Sequence, residues 1–122
     1  MRRLLDAKRA EERAGRTAET VAATMLRLKG YRVLARRFRG VRGEVDLIAR
    51  RGSVLAFVEV KRRPTIVAAA ESVSPRQRAR IAAAAEEFIA AHPRLSGLGI
   101  RFDAILVAPG KLPRHLVDAW RP

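Results

Sequence analysis

Residues Ser53 to Lys61 read Ser-Val-Leu-Ala-Phe-Val-Glu-Val-Lys, and their alternation predicts a β-strand. Successive side chains of a strand point to opposite faces of its sheet. The two faces of this strand therefore carry Val54, Ala56, Val58 and Val60 on one side, and Leu55, Phe57, Glu59 and Lys61 on the other. The second face changes from apolar to ionic at its C-terminal end, so we expect a functional site there.

The preceding run, Gly43 to Ala49, reads Gly-Glu-Val-Asp-Leu-Ile-Ala and also predicts a strand. Two adjacent antiparallel strands would bring Asp46 of this run beside Glu59 and Lys61. Two carboxylates and an ammonium group are what metal-assisted attack of water on a phosphodiester requires. Acids and lysines at this spacing also occur on solvated or cross-strand-paired faces, and that alternative stays open on spacing alone.

The rest of the chain predicts an α/β domain with the element order α-β-β-β-α-β-β. Ser74, Pro75 and Gln77 form the start signal of the second helix, because serine caps, proline takes the first turn and glutamine completes a capping box. Pro64 to Val73 is expected to be a loop. The other predicted elements are a helix over Asp6 to Lys29 and strands over Tyr31 to Phe38, Ile100 to Val107 and His115 to Trp120.

The length of 122 residues predicts a single domain over residues 15–122, with residues 1–14 as a charged extension of the first helix. The chain has no cysteine, which excludes disulfides, thiolate metal sites and cysteine nucleophiles. The charged N-terminus has no apolar segment typical of a secretory signal, and no apolar run is long enough to span a bilayer. We therefore expect a cytoplasmic protein that does not enter a membrane.

The net charge of +14 indicates a polyanionic partner, and nucleic acid, DNA in particular, is the partner we expect. A solvated surface in an arginine-rich protein is the plainer alternative. Aromatic residues make up only 5% of the chain, so base stacking is not expected to be the main contact. The arginines predicted to contact phosphates around the acids are Arg36, Arg37, Arg39, Arg42, Arg62, Arg63, Arg76, Arg78 and Arg80.

Lysine is rare among the 26 basic residues, and Lys61 is directly followed by Arg62 and Arg63. A compact ammonium group fits beside a water and a phosphate better than a planar guanidinium does. We therefore predict that Lys61 orients or deprotonates the attacking water, or stabilises developing charge.

A hard divalent cation prefers oxygen ligands and keeps several waters. Asp46 and Glu59 would supply carboxylate oxygens, and the Val60 carbonyl a third ligand. Glu19 of the first helix is a further candidate, directly or through water, although a helix glutamate is more often solvated. The expected metal is Mg²⁺ or Mn²⁺.

Other polar residues are weaker candidates. Asp103 stands in an apolar strand beside Arg101, and we predict a structural ion pair there. His92 is expected to cap a helix, and His115 is expected to be isolated. No serine lies in a Gly-x-Ser-x-Gly elbow, and the chain has no glycine-rich phosphate loop.

Several motifs together resemble the YraN family of bacterial proteins, which has the restriction-endonuclease-like fold and is related to archaeal Holliday-junction resolvases. They are Gly15…Glu19…Ala22, Gly30-Tyr31, Gly43-Glu44-Val45-Asp46-Leu47-Ile48, Phe57-Val58-Glu59-Val60-Lys61-Arg62 and Arg101-Phe102-Asp103. The resemblance implies a restriction-endonuclease-like core with a central mixed β-sheet flanked by helices. It also implies that Asp46, Glu59 and Lys61 match the nuclease signature and that Glu19 matches the acid of the first helix.

The chain departs from the family in two places. Ala18 replaces the glycine that usually precedes the helix glutamate, and Arg76-Gln77 stands where the family often has a lysine. Neither change removes a metal ligand, and we expect Arg76 and Gln77 to contact the nucleic acid.

The sequence thus predicts a metal-dependent nuclease that acts on DNA, with branched or damaged DNA as candidate substrates. The alternatives are a non-catalytic nucleic-acid-binding module with the same fold, and an interaction protein whose basic face meets an acidic partner. Symmetric cutting of a junction would need two sites, which is compatible with a homodimer.

Overall fold

The computed structural model describes residues 1–70 and 72–122. Its elements in chain order are α1 (Arg2–Leu28), β1 (Arg32–Arg39), β2 (Glu44–Arg51), β3 (Val54–Arg62), α2 (Ile66–Ala70), α3 (Pro75–Ala91), a 3₁₀ turn (Pro93–Leu95), β4 (Gly99–Val107) and β5 (Arg114–Trp120). This order confirms the predicted α-β-β-β-α-β-β arrangement, with α2 and the 3₁₀ turn added.

The five strands form one mixed sheet in the order β1-β2-β3-β4-β5. Strands β1, β2 and β3 form an antiparallel meander, β4 runs parallel to β3, and β5 is antiparallel to β4. A parallel neighbour needs a crossover connection, which α2 and α3 supply. The predicted α/β fold with a central mixed sheet flanked by helices is therefore confirmed.

Each face of the sheet is covered by one long helix, as the alternation in β3 predicts. Leu55 and Phe57 belong to the core that includes Ile81 and Phe88 of α3. Ala56 and Val58 belong to the second core, which includes Ala22, Ala23 and Leu26 of α1. Because both faces are buried, β3 is the centre of the domain, and side chains at its C-terminal end lie between the two helices.

The structure corrects two details of the predicted elements. Helix α1 begins at Arg2 rather than at the predicted Asp6, and it continues without a break through Gly15 to Leu28. Residues 66–70, predicted as loop, form the short helix α2. Its Ala-rich sequence has high helix propensity, and the Thr65 hydroxyl accepts a hydrogen bond from the Ala68 N–H at its start. Residue 71, in the same predicted loop, lies outside the described residues.

The start of α3 follows the predicted capping box. The Ser74 hydroxyl accepts from the Gln77 N–H at 3.2 Å, and the Gln77 side-chain oxygen accepts from the Ser74 N–H at 3.3 Å. His92 ends the helix, with Nδ1 at 2.8 Å from the Phe88 carbonyl oxygen, which confirms its predicted capping position. The N-terminal end of α3 is therefore fixed by hydrogen bonds between residues that are close in sequence.

Gly43 lets β2 approach α3 closely. A Cβ atom at this position would lie 1.9 Å from the Arg80 carbonyl oxygen, so the backbone itself would have to move. We expect Gly43→Ala to lower the free energy of unfolding by about 1–3 kcal/mol, as overpacking does. Chemical denaturation checks this value, with Gly97→Ala as the matched control, because nothing lies within 4 Å of a Cβ there. Equal stability of the two variants would contradict the close approach.

Candidate active site

The site lies where the N-terminal end of β2 runs beside the C-terminal end of β3. The antiparallel register pairs Leu47 with Val58, which brings Asp46 to the level of Glu59. Asp46, Glu59, Val60 and Lys61, which we call the β2–β3 site, line a cavity of about 230 Å³. The structure therefore brings together the strand residues that the sequence analysis predicts as site residues. The remaining lining residues are Glu44, Gln77, Arg80 and Ile81.

Hydrogen bonds and burial hold the β2–β3 site in place. The Val60 N–H donates to Asp46 Oδ2 at 2.8 Å, which ties the carboxylate of one strand to the backbone of the next. Lys61 Nζ lies 3.6 Å from Glu59 Oε2, and the two side chains are 10% and 11% exposed. Charged groups with so little exposure carry a desolvation penalty, so this arrangement is more than a solvated strand face.

Burial, a hydrogen bond to Asp46 and the charge of that carboxylate together raise the pKa of Glu59 to about 9, and burial contributes most. Lys61 acts in the opposite direction through its charge and its hydrogen bond. The buried Glu59 carboxyl group thus lies beside the half-buried Asp46 carboxyl group and the buried Lys61 ammonium group. A divalent cation in this space would favour the ionised form of both acids.

Glu19 approaches the same region from α1. The residue is buried, and its Oε2 accepts from Arg37 Nε at 2.7 Å, whereas its Oε1 is buried without a hydrogen-bond partner. Glu19, Asp46, Val60 and Lys61 all line a second cavity of about 410 Å³. An unpaired buried carboxylate oxygen is rare in folded proteins, so a water or a cation is expected to satisfy it.

Arg37 was predicted to contact phosphate, and the structure instead directs its Nε to Glu19. It adopts a φ of 52°, which is unusual for a residue other than glycine. No local sequence signal marks this contact, because it depends on the path of β1 across α1.

Of the residues that the structure describes, no three histidine, cysteine, aspartate or glutamate side chains are grouped so that they could hold a metal ion together. Mg²⁺, however, is usually held by one or two carboxylates, with waters and substrate phosphates completing its shell. The carboxylates of Asp46 and Glu59, with the unpaired Glu19 oxygen nearby, fit that requirement. The chemistry of these oxygen donors therefore suits a hard divalent cation better than a soft one.

Of the predicted nucleic-acid contacts, Arg62, Arg63 and Gln77 line the cavities of the site. Arg62 and Arg63 are exposed and line the second cavity, and Arg76 is exposed in the first turn of α3. Arg42 lies in the β1–β2 turn, where Nη2 is 3.2 Å from Glu86 Oε2. Gln77 lines the 230 Å³ cavity in addition to its capping role, so its side chain is already partly committed to the helix start.

Asp103 forms a separate polar centre. It is fully buried and accepts from Arg101 Nε and Nη2, each at 2.8 Å, which confirms the predicted ion pair. His115 Nε2 is 2.8 Å from Asp103, and its Nδ1 is 2.6 Å from Lys29 Nζ. The prediction that His115 is isolated is therefore wrong, because the fold joins residues that are far apart in the chain.

Comparison with known proteins identifies the family. The model of the uncharacterised protein family UPF0102 matches residues 18–107. A UPF0102 protein of Paramagnetospirillum magneticum is 54% identical over 119 residues, which cover 94% of this chain and 92% of the relative. A UPF0102 protein of Parvibaculum lavamentivorans is 52% identical over 110 residues, with 90% and 83% covered. This chain therefore belongs to the UPF0102 family, which is the YraN family that its motifs resemble.

Proposed function

We propose that this protein is a metal-dependent nuclease that binds nucleic acid and hydrolyses phosphodiester bonds, with DNA as the substrate. The observation that carries the proposal is the convergence of Asp46, Glu59 and Lys61 at one buried end of the sheet, beside the unpaired Glu19 oxygen. A protein gains no stability from the buried Glu59 carboxyl group beside the half-buried Asp46 carboxyl group, so a chemical role explains the pair better than a structural one.

The residues of the proposed site have different roles, namely metal binding and activation of water. Asp46 and Glu59 would hold Mg²⁺ or Mn²⁺ with the Val60 carbonyl, and Glu19 would assist directly or through water. The cation, when bound, supplies charge neutralisation at the phosphate and activation of water. Lys61 would orient the attacking water, or take its proton when the side chain is a neutral amine. In its ammonium form it would stabilise the charge that develops on the phosphate oxygens. Lys61 Nζ lies 3.6 Å from Glu59 Oε2, and this contact would keep the ammonium group beside the proposed metal ligands.

The surface around the site suits a polyanion. Arg42, Arg62, Arg63 and Arg76 would present guanidinium groups to a phosphate backbone, in a chain with a net charge of +14. Such contacts position a backbone without reading its sequence, which suits an enzyme that recognises shape. None of the helices in the described parts of the chain has the length and apolar character of a membrane span. We place the activity in the cytoplasm, where DNA and free divalent cations meet.

The proposal is tested by incubating the purified protein with labelled single-stranded, duplex, flapped and four-way DNA in Mg²⁺ or Mn²⁺. Cleavage that needs the metal and disappears on chelation is the expected result. An Asp46→Ala protein prepared identically separates the enzyme from a contaminant, because a contaminating nuclease would cut in both samples. Metal-independent cleavage, or cleavage by both proteins, would contradict the proposal.

A second candidate function is a non-catalytic nucleic-acid-binding module. The contact that favours it is the Arg37–Glu19 ion pair, because a guanidinium at 2.7 Å already neutralises the acid that would assist the metal. Binding that weakens steeply with salt and never leads to cleavage, with any DNA in the panel, would support this alternative.

Arg62 and Arg63 are expected to carry part of the salt dependence of DNA binding. Replacing both by alanine should reduce the slope of log affinity against log salt concentration by roughly 1 to 2, since each neutralised phosphate releases about 0.9 counterion. Titrations of the same duplex at several salt concentrations measure this slope. The matched control is the double variant in which Arg32 and Arg94 are replaced by alanine. Both arginines are exposed near the opposite end of the sheet. An unchanged slope for Arg62→Ala with Arg63→Ala would remove this pair from the interface.

A further inference from the structure

The turn between β1 and β2 carries an exposed apolar residue between two arginines. Val41 is 95% exposed, and Arg39 and Arg42 stand on either side of it and are also exposed. A single exposed valine is ordinary on a protein surface. What distinguishes Val41 is the rigidity of the turn that presents it and its place beside the proposed active site.

The turn is fixed from within and from α3. The Gly40 N–H donates to the Gly43 carbonyl at 2.8 Å. Glu87 of α3 accepts from the Val41 N–H at 2.8 Å and from the Arg42 N–H at 3.2 Å, one bond to each carboxylate oxygen. Charge-assisted hydrogen bonds of this kind are strong. The valine side chain is therefore held outward on a turn that the helix prevents from folding back.

The turn also projects from the end of the sheet that holds the site. Strand β2 leads from the turn to Asp46, and five extended residues span at most about 17 Å. Stacked bases repeat every 3.4 Å along a strand, so this distance corresponds to about five base steps. One nucleic acid can therefore contact Val41 and the β2–β3 site together, with Arg39 and Arg42 on its phosphates.

The small size of the Val41 side chain determines whether a continuous or an interrupted duplex suits it better. Apolar side chains inserted between bases must first unstack them, and unstacking a continuous duplex step costs more than burying one valine contributes. At a nick, a gap or a branch point the backbone on one strand is interrupted, so the bases separate at a lower cost and the valine gains apolar contact more easily. The pinned turn thus suits a discontinuity in a duplex better than an intact duplex.

We propose that Val41 packs against the base exposed at a discontinuity in duplex DNA, and that the β1–β2 turn thereby directs this protein to interrupted DNA. This inference rests on the proposed function and specifies its substrate class. Glu87 is a positioning residue in this scheme, because it holds the turn and touches no substrate.

Binding measured without catalysis tests the inference. Affinities for a continuous duplex and for the same duplex with one central nick are compared in chelator, with a fluorescent adenine analogue beside the nick. We expect wild type to prefer the nicked duplex and Val41→Ser to lower its affinity for that duplex about three- to tenfold, with little change for the continuous one. Val41→Ile should keep the preference, and Glu87→Gln should weaken it. Val117→Ser, on the far edge strand β5, is the matched control.

The outcomes separate the two proposals. Unstacking of the fluorescent base by wild type but not by Val41→Ser supports the inference. Equal affinity of wild type for nicked and continuous duplexes, or equal behaviour of wild type and Val41→Ser, overturns it while leaving a DNA-cleaving protein intact. Failure of wild type to bind any DNA overturns both proposals.

Discussion

Replacing Asp46 by asparagine is expected to lower metal-dependent cleavage at least about 10³-fold, because the variant loses a charged metal ligand and its share of charge neutralisation. The amide oxygen of asparagine can still accept the hydrogen bond that Val60 N–H donates to Asp46 at 2.8 Å, so the two strands should stay joined. Single-turnover cleavage in Mg²⁺, with the DNA that wild type cuts best, measures the effect.

The control for this variant lies on the same strand. Glu44→Gln removes an equal charge two residues away. Glu44 lines the same cavity but is more than half exposed, so its effect on cleavage should be far smaller than that of Asp46→Asn. DNA affinity in chelator should be equal or slightly higher in both variants, since each removes a negative charge near the phosphates. Cleavage that survives in Asp46→Asn would remove this residue from the metal site.

Replacing Asp103 by asparagine is expected to destabilise the fold by about 3–5 kcal/mol, the range seen when one partner of a buried ion pair is removed. The carboxylate accepts four hydrogen bonds, from two Arg101 nitrogens, His115 and the Asp118 N–H. Asparagine leaves Arg101 without its counter-charge in a side chain that is only 18% exposed. Urea denaturation measures the loss. Because Asp103 lies apart from the β2–β3 site, cleavage well below the melting temperature should persist.

The same contacts make the contribution of Asp103 depend on pH. Burial alone would raise its pKa, but hydrogen bonds from His115, Arg101 and the Asp118 backbone together lower it to about 2 from 3.8. A depressed carboxyl pKa contributes stability that is fully present above pH 3.8 and is lost as the pH falls towards 2. The stability difference between wild type and Asp103→Asn should therefore be constant near neutral pH and shrink below about pH 4. A difference that stays constant down to pH 2 would contradict this origin.

The strand alternation was the most informative sequence signal. It assigned Leu55 and Phe57 to one face of the sheet and Ala56 and Val58 to the other, and both cores confirm it. Period-two patterning works here because β3 is buried on both faces, so a shift of one residue would bury charges. The capping box at Ser74 was equally informative, since its hydrogen bonds join residues only three apart.

Long-range contacts were beyond what the sequence could predict. The Arg37–Glu19 pair forms because β1 crosses α1 and because Arg37 has a left-handed backbone conformation. Neither condition can be recognised from the residues next to Arg37 in the sequence. The bond between His115 and Lys29 joins residues 86 apart, so His115 looked isolated. Helix α2 was missed because five residues are too few to show a helical period.

The sheet topology implies that Asp46 and Glu59 come together at one stage of folding and are buried at a later stage. Asp46 and Glu59 belong to a meander of neighbouring strands, whereas β4 pairs with β3 across more than forty residues. Local pairings form early in folding, and contacts with high sequence separation close late. The two carboxyl groups therefore meet while still hydrated, and they lose water only when α3 and β4 dock. The cost of burying them should accordingly speed unfolding rather than misdirect strand pairing, so that the site limits how long each folded molecule persists.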